Sequence, residues 1–282
     1  MTRLTVKDLA GLGRQADLSR LTQAALGVDL LALGARAADR PAPWVRERLR
    51  GRRLAALSVS AGQGVLPGFA EALASLGRGL GLIAEAMPGA DEKALRAAAD
   101  WGADWVILAD DDRFEIRDMA GRVMADNNPA TSRAYVAALE LLAGGGLSGR
   151  EVLVWGLGVI GRGAAVRLLE RGAWPLMFDI DPAKGPAALA MAGGGEVVAG
   201  EAGLARVLAG RTFLIFEAVP RREIWKSSPP DGVPFKVAAP GVPLSWPAAW
   251  LRPGGPARLW HDALPSGVAA MLALAAANEE GL

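Results

Sequence analysis

Cysteine is absent from the 282 residues of the chain, and histidine occurs only once, as His261. The first absence excludes disulfides, thiolate metal sites and a cysteine nucleophile. The second excludes a metal site built from several histidines. Apolar runs stay well short of the ~20 residues that a membrane-spanning helix requires, and the amino-terminal segment lacks the apolar core of a secretion signal. We therefore expect a cytoplasmic protein with no membrane attachment.

A strong excess of either charge is also missing. The chain has 31 basic and 30 acidic side chains, its formal net charge is +1, and no basic tail or stripe stands out. A nucleic acid is accordingly not an expected partner. Hydrophobic residues make up 51% of the chain and charged ones 22%, which is typical of a packed globular protein, here with length enough for two domains.

The spacing of apolar residues changes along the first half of the chain. Helical spacing runs over residues 5–39, and an alternation of strands and helices follows. The predicted strands are 53–60, 82–87 and 105–111, and the predicted helices between them are 68–81 and 90–102. Such an alternation favours a parallel sheet covered by helices.

A hairpin over 114–126 and a helix over 127–146 are predicted next, with Asn128 as the N-cap and Pro129 at the first helical position. This helix ends in three consecutive glycines. A new strand–glycine–helix segment begins directly after them. The sequence therefore predicts two domains, residues 1–146 and residues 147–282.

The second domain opens with the spacing G-x-G-x-x-G in the segment VLVWGLGVIG, residues 152–161. Gly156 permits a tight turn, Gly158 lets a pyrophosphate approach the backbone, and Gly161 permits close packing of a helix on a strand. The N-terminus of that helix favours phosphate groups. Asp179 ends the following strand, where a carboxylate accepts hydrogen bonds from a ribose diol. These features predict a Rossmann-type dinucleotide-binding domain.

NAD is the predicted cofactor, because Asp179 would repel the 2′-phosphate of NADP and no arginine follows it directly. Two later predicted strands, 212–220 and 235–243, end at the edge of the sheet that lines the cofactor crevice. The predicted fold class is α/β, with an N-terminal α/β substrate domain followed by a C-terminal Rossmann-type NAD-binding domain. The residues predicted to contact the cofactor are Gly156, Leu157, Gly158, Val159, Ile160, Gly161, Asp179, Glu217, Ala218, Val219, Pro240 and Gly241.

Three consecutive acids, Asp110, Asp111 and Asp112, end the predicted strand 105–111. They fit a solvated turn, a metal site or a clamp for a cationic substrate. Successive side chains of a strand point in opposite directions, so three adjacent carboxylates do not converge easily on one ion. No metal site is predicted, and the choice between turn and clamp stays open at this point.

Other polar groups are expected near these acids. Ser60 and the backbone from Val59 onward follow the first strand of the same sheet, and their strand end faces the same side. Asn127 carries an amide that can both donate and accept hydrogen bonds to a polar substrate. His261 lies outside these groups, and we predict a structural or surface role for it.

Segments along the whole chain carry a family resemblance. They are RLTVKDL near the amino terminus, VSAGQGVLPGFAEAL (59–73), ILADDDRF (107–114), DNNPATSRAYVA (126–137), VLVWGLGVIG (152–161), IFEAVP (215–220), APGVP (239–243) and LPSGVAAML (264–272). In their order and in the acid run followed by Asn-Asn-Pro, they resemble the PylD family, the dehydrogenases that complete pyrrolysine biosynthesis.

The resemblance implies NAD-dependent oxidation of the terminal amine of 3-methylornithyl-N6-lysine to an imine. Hydrolysis of the imine then releases ammonia, and the aldehyde condenses with the neighbouring amine, with loss of water, to form the pyrroline ring of L-pyrrolysine. The resemblance also implies that an amino-terminal helix contributes to substrate binding, through Leu4. A small-molecule precursor is thus the expected partner, with a homodimer as one possible assembly.

Because this substrate is cationic, the resemblance favours the clamp interpretation of the acid run. We predict that Asp110 is the catalytic carboxylate, which holds and deprotonates the amine, and that its acidic neighbours raise its pKa. Asp111 would support it. The predicted substrate contacts are Leu4, Val59, Ser60, Asp110, Asp111 and Asn127.

Two alternatives remain. Shikimate-type and methylene-tetrahydrofolate-type dehydrogenases also place a substrate domain before the dinucleotide domain, but they typically rely on a catalytic lysine there. Only Lys7 and Lys93 precede the glycine motif, and neither ends a predicted strand. A protein that senses NAD without catalysis is the second alternative.

Overall fold

The structure, a computed structural model, describes residues 15–62, 64–209, 214–221, 235–246 and 257–281. The chain divides into two compact units: unit 1 comprises residues 1–134 and 263–282, and unit 2 comprises residues 135–262. Each unit has its own sheet, and the first division of the chain falls within a helix.

The described part of unit 1 begins with three helices, α1 (Gln15–Leu26), α2 (Leu30–Ala37) and α3 (Ala42–Leu49). The sheet and its helices follow: β1 (Arg53–Leu57), α4 (Phe69–Gly79), β2 (Ile83–Ala86), α5 (Asp91–Trp101), β3 (Trp105–Ala109), β4 (Phe114–Asp118), β5 (Val123–Asp126) and the first part of α6 (Asn127–Leu142). The carboxyl-terminal helix, which we number α10 (Pro265–Asn278), completes the unit and is followed by a 3₁₀ turn, Glu279–Gly281.

The strand order of the first sheet is β2-β1-β3-β4-β5. β1 is parallel to β2 and β3, with Leu54 opposite Trp105, whereas β4 is antiparallel to both β3 and β5. The carboxyl ends of β1, β2, β3 and β5 therefore lie at one edge. Apolar residues of β1 and β3 pack against Ala94 and Ala98 of α5 to form the core on one face.

The arginine-rich segment around α3 is held by acids of the same unit. Arg48 pairs with Glu280 at 2.7 Å, and Arg52 pairs with Glu279. The guanidinium of Arg52 also lies 5.3 Å from the ring centroid of Trp105. These contacts fasten the 3₁₀ turn at the end of the chain onto the sheet, and they give this segment a structural role.

Unit 2 contains the second part of α6 and a second sheet with its helices. Its elements are β6 (Glu151–Trp155), α7 (Val159–Glu170), β7 (Trp174–Phe178), α8 (Lys184–Ala192), β8 (Glu196–Val197), α9 (Gly200–Leu208), β9 (Leu214–Glu217), β10 (Phe235–Ala238) and β11 (Ala257–Trp260). The strand order is β11-β10-β9-β6-β7-β8, and all pairs are parallel. Leu153, Ile215 and Phe235 are among the buried residues that form its core.

This order reproduces the Rossmann sheet, in which strands 3-2-1-4-5-6 lie side by side. The chain leaves β6 toward β7 on one side and returns to β9 on the other, so the order reverses between β6 and β9. A nucleotide binds at this switch point, outside the carboxyl ends of the strands, in open sheets of this type. The predicted α/β fold class with a Rossmann-type second sheet is confirmed.

The division of the chain differs from the predicted 1–146 and 147–282. It falls within α6 rather than after it, and α10 lies in unit 1. α10 packs so closely on α2 that a Cβ added to Gly34 would lie 2.5 Å from the carbonyl oxygen of Ala269. Apolar spacing can identify a helix such as α10, but it does not indicate in which of the two units the helix packs.

The predicted cap of α6 is also corrected. α6 begins at Asn127, and the backbone N–H of Asn128 donates to Oδ1 of Asp126 at 2.7 Å. Asp126, not Asn128, therefore caps the helix. Among the helices that the structure describes, none is long and apolar enough to cross a membrane.

Candidate functional site

The turn after β6 has the conformation that its first glycine was predicted to permit. Gly156 has φ +93°, in the left-handed region, and its N–H donates to the carbonyl of Phe178 at 2.8 Å. A Cβ at this position would lie 2.9 Å from the carbonyl oxygen of Ala218. The turn thus fits closely between the ends of β7 and β9, where only glycine can follow this path.

The other two glycines of the motif differ in their surroundings. A Cβ on Gly161 would lie only 1.8 Å from the carbonyl oxygen of Gly156, so this glycine sets the distance between α7 and β6. A Cβ on Gly158 would meet no atom within 4 Å. Gly158 directly precedes Val159 and Ile160, the first residues of α7, whose N-terminus carries a partial positive charge. Open space at that helix end fits a phosphate group of a dinucleotide.

Asp179 follows β7 and stabilises the glycine-rich turn. Its Oδ2 accepts from the N–H of Leu157 at 2.7 Å, and its Oδ1 accepts from the N–H of Asp181 at 2.9 Å. The ammonium of Lys184 lies 3.3 Å from Oδ1, and the Asp179 side chain is only 7% exposed. A carboxylate has about four lone-pair sites, and the two N–H groups and the Lys184 ammonium, which lies 3.3 Å and 3.4 Å from the two oxygens, use them, so a ribose hydroxyl would take the place of a Lys184 contact.

Glu217 ends β9 and is fully buried, with 0% exposure. Its Oε1 accepts from the N–H of Val219 at 2.6 Å, and its Oε2 accepts from the hydroxyl of Ser245 at 2.5 Å. Burial raises the pKa of Glu217 to about 7, although the hydrogen bonds from Ser245 and Val219 act in the opposite direction. The carboxyl group of Glu217 therefore does not line the open edge of the sheet in this structure, and its contact with the cofactor stays a prediction.

The remaining predicted cofactor residues lie at neighbouring strand ends. Ala218 and Val219 follow β9, and Pro240 and Gly241 follow β10 shortly after its end. A Cβ on Gly241 would lie 2.7 Å from the carbonyl oxygen of Val219, so the two segments are in close contact. The predicted cofactor residues thus gather at the carboxyl edge of β6, β7, β9 and β10.

His261 follows β11 at the same edge, and its Nδ1 lies 2.7 Å from the carbonyl oxygen of Ala239. A carbonyl oxygen only accepts, so Nδ1 donates this bond. The bond joins the ends of β10 and β11, as a structural role implies.

Within unit 1, the acid run forms a turn. Asp110 Oδ1 accepts from the N–H groups of Asp112 and Arg113, both at 3.0 Å, and its Oδ2 accepts from Nε of Arg113 at 2.8 Å. Burial acts to raise the pKa of Asp110, but these hydrogen bonds and the charge of Arg113 outweigh it and lower the pKa. The prediction that neighbouring acids raise the pKa of Asp110 is therefore wrong, because its partner is an arginine.

The loop after β1 approaches the same acids. A Cβ on Gly62 would lie 2.1 Å from Oδ2 of Asp111, so the Asp111 carboxylate packs directly on this loop. The N–H of Ser60 donates to Oδ1 of Asp91 at 2.9 Å, and its hydroxyl donates to Oδ2. These bonds lower the pKa of Asp91. The Ser60 hydroxyl thus already has a partner at the start of α5, and neighbouring Val59 packs against the core of the sheet.

Asn127 begins α6 at the same edge, and its Oδ1 accepts from the hydroxyl of Thr131 at 3.1 Å. A Cβ on Gly267 would lie 2.9 Å from that Oδ1, so α10 passes close to Asn127. The described residues predicted to contact the substrate follow the carboxyl ends of β1, β3 and β5, at one edge of the first sheet; they are Val59, Ser60, Asp110, Asp111 and Asn127. Leu4 lies outside the described residues.

One charged group at this edge escaped the sequence analysis. Glu115 is buried in β4, and its Oε1 lies 3.6 Å from Nη1 of Arg113 and 2.7 Å from Nη2 of Arg117. The sequence did contain a signal for this cluster: Arg113, Glu115 and Arg117 are spaced two residues apart, and residues two apart in a strand share a face. Across the described ranges, no group of three or more histidine, aspartate or glutamate side chains is arranged to hold a metal ion.

These features define the class: an α/β protein with one mixed sheet and one Rossmann-type nucleotide-binding sheet. Residues 18–124 match the family model of the pyrrolysine biosynthesis protein PylD, N-terminal domain. Over this segment the chain is similar to the PylD N-terminal domain, in agreement with the resemblance seen in its sequence segments.

Comparison with solved structures gives a similarity to the quinate dehydrogenase of Corynebacterium glutamicum in complex with NAD. The TM-score is 0.43 and the identity 16%, over 67% of this chain and 80% of that chain. A comparison with curated protein sequences gave no significant match.

Proposed function

We propose that the chain is an NAD-dependent dehydrogenase that oxidises the terminal amine of 3-methylornithyl-N6-lysine in pyrrolysine biosynthesis. The observation that carries this proposal is the glycine-rich turn with Asp179 at the switch point of a Rossmann sheet, in a chain whose residues 18–124 are similar to the PylD N-terminal domain. NAD, when bound, takes up the hydride that leaves the carbon bearing the amine, while the nitrogen loses a proton. Water then converts the imine to the aldehyde with release of ammonia, and the aldehyde condenses with the neighbouring amine.

The residues of unit 2 would bind and orient the cofactor. The N-terminus of α7 would hold the pyrophosphate, Asp179 would accept from a ribose hydroxyl, and the backbone of Ala218 and Val219 would lie toward the nicotinamide end. Gly158 leaves space for the phosphates, since a Cβ there would meet nothing within 4 Å.

For the substrate, the acid run suggests a binding role rather than a proton-accepting one. A carboxyl with a lowered pKa stays ionised and is a poor base, but it attracts an ammonium group. We therefore assign Asp110 to substrate binding, with the substrate contacts Leu4, Val59, Ser60, Asp111 and Asn127 as further parts of this proposal. The exposed edge of Arg113, which pairs with Asp110, would suit the carboxylate of the same substrate.

Replacing Asp110 with asparagine is expected to raise the KM for the precursor about ten- to a hundredfold while changing kcat much less, since one charge-assisted hydrogen bond is worth roughly 1.5–3 kcal/mol. Asparagine keeps an oxygen for the N–H groups of residues 112 and 113, so the turn should persist. Asp112→Asn, at an exposed position of the same run, is the matched control and should leave KM nearly unchanged. A kcat that collapses at unchanged KM in Asp110→Asn would instead favour the catalytic role.

The charge pair of Asp179 with Lys184 makes a prediction about cofactor choice. Lys184 partly neutralises the carboxylate that would repel a 2′-phosphate, so Lys184→Ala should increase the preference for NAD over NADP several-fold. Asp179→Asn should reduce that preference and weaken NAD binding. Equilibrium binding of both cofactors to the three proteins measures this, and an unchanged NAD-to-NADP ratio in both variants would contradict it.

The function itself is tested by the appearance of NADH absorbance when the purified chain is mixed with NAD and the precursor. Simple diamines and shikimate serve as comparison substrates. Oxidation of shikimate but not of the amine would overturn the proposal, and binding of NAD without turnover would favour an NAD-sensing protein. Against a lysine-dependent dehydrogenase, Lys93 lies within α5 and packs over Gly89 rather than at a strand end.

A further inference from the structure

The carboxyl group of Glu217 is buried, and its burial costs free energy. Glu217 ends β9, directly beside β6 at the point where the strand order reverses, and it is fully buried. In the sheet register it lies opposite Trp155, the last residue of β6. Burying a carboxyl group without function is unfavourable, so the bonds that it makes here indicate what it does.

The two oxygens of Glu217 hold two different segments of the chain. One accepts from the N–H of Val219 in its own turn, and the other accepts from the hydroxyl of Ser245, 28 residues later, in the loop after β10. The carboxyl group therefore joins the turn after β9 to the loop after β10. Such a link fixes both segments at once.

The backbone between these contacts is closely packed on both sides. The carbonyl of Ala218 lies against Gly156 on the β6 side, and the carbonyl of Val219 lies against Gly241 on the β10 side. At both glycines an added Cβ would come within 3 Å of those carbonyl oxygens. The turn after β9 thus packs closely between Gly156 and Gly241, and Glu217 holds it through hydrogen bonds.

We infer that Glu217 is a positioning residue for the nicotinamide half of the cofactor: it holds the backbone of Ala218 and Val219 in the place where that half would bind. The inference rests on the proposed NAD binding. The adenosine and pyrophosphate parts depend on other groups, namely the glycine-rich turn, the N-terminus of α7 and Asp179. Loss of Glu217 should therefore affect NAD and leave ADP unaffected.

The protonation state of Glu217 should affect how well it holds the two segments, because the groups in contact with it are uncharged. The groups that act on it are the Ser245 hydroxyl, the Val219 N–H and the Trp246 indole, and none of them is charged. On the flanking strands, Trp155 and Ala239 are also uncharged. Among the described residues, other titratable groups at this edge include His261 and Asp262 after β11, Arg221 after the turn, and the Asp179–Lys184 pair beyond β6. A proton on one oxygen of Glu217 turns that oxygen into a donor, so the bond from the Val219 N–H would weaken or the bond from the Ser245 hydroxyl would reverse.

The test is isothermal titration of the full chain with NAD and, separately, with ADP. In Glu217→Gln, and to a smaller degree in Ser245→Ala, the Kd for NAD should rise about tenfold while the Kd for ADP stays the same, because one buried hydrogen bond to a charged group corresponds to about that factor. In the native chain the preference for NAD over ADP should increase as the pH rises through about 7. In Glu217→Gln this pH dependence should disappear.

Glu140→Gln is the matched control. Glu140 is also a buried glutamate among the described residues of unit 2, but it pairs with Arg171 after the end of α7, at 2.7 Å, away from the glycine-rich turn. It should leave the ratio of the two Kd values unchanged.

The outcomes separate the inference from the proposed function. If the native chain binds neither NAD nor ADP, the proposed function fails. If the native chain binds both and Glu217→Gln or Ser245→Ala weakens NAD and ADP equally, or neither, the positioning role is overturned. Persistence of the pH dependence in Glu217→Gln would also overturn it.

Discussion

Replacing Gly161 with alanine is expected to destabilise unit 2 by about 3 kcal/mol or more and to abolish NAD binding. The added Cβ would lie 1.8 Å from the carbonyl oxygen of Gly156, and this neighbour is backbone that cannot rotate away. α7 must therefore move off β6 by more than an ångström, which is a severe case of overpacking, and overpacking alone typically costs about 1–3 kcal/mol. Urea unfolding of the full chain measures the loss.

Gly158→Ala provides the matched control for this prediction. Its φ of −68° suits any residue, and its Cβ would meet no atom within 4 Å, so the fold should keep its stability. The methyl group would, however, enter the space assigned to the phosphates, and NAD binding should weaken. If Gly161→Ala and Gly158→Ala lost stability equally, the assigned roles of the two glycines would be wrong.

The second large effect is a loss of stability of the native chain as the pH rises, caused by Glu217. Burial raises its pKa from 4.5 to about 7 in the folded chain. A group whose folded pKa is raised contributes stability that is fully present below its unfolded pKa and is lost as the pH rises through the folded pKa. With about 1.4 kcal/mol for each pKa unit, the loss between roughly pH 4 and pH 8 is about 3 kcal/mol.

Glutamine at position 217 cannot ionise, so Glu217→Gln should lose about 3 kcal/mol less than the native chain over the same pH range. The quantity to compare is the free energy of unfolding of the two proteins at each pH, since other groups titrate in both. Parallel curves for the two proteins would contradict the buried, raised-pKa state of Glu217.

Much of the second unit followed from the sequence because its features are local. The spacing of Gly156, Gly158 and Gly161 predicted the turn, a helix after it and the close helix packing, and the structure has each of them. The strand–helix alternation likewise predicted the parallel strands of both sheets. Backbone conformation and apolar period depend on residues a few positions apart, and these can be read directly.

For the acid run, residues 110–112, neighbouring residues alone led to a wrong prediction about the pKa of Asp110. Three adjacent carboxylates suggested mutual repulsion and a raised pKa, but Arg113 folds back on Asp110 and reverses the direction. Similarly, Asp126 and Asn128 are both good helix caps, and only the path of the chain from β5 decides that Asp126 fills this role. In both cases the sequence allows more than one arrangement of hydrogen bonds, and the geometry of the turn decides which one forms.

Sequence by itself thus determined the strand–helix alternation of the first sheet, the glycine-rich turn and the acid that supports it, because each depends on neighbours along the chain. Only the tertiary structure decided that α10 packs on α2 in unit 1, and that Glu217 is buried with Ser245 as its partner. Those contacts join residues far apart in sequence. Their energies come from burial and close packing, which depend on which surfaces the folded chain brings together.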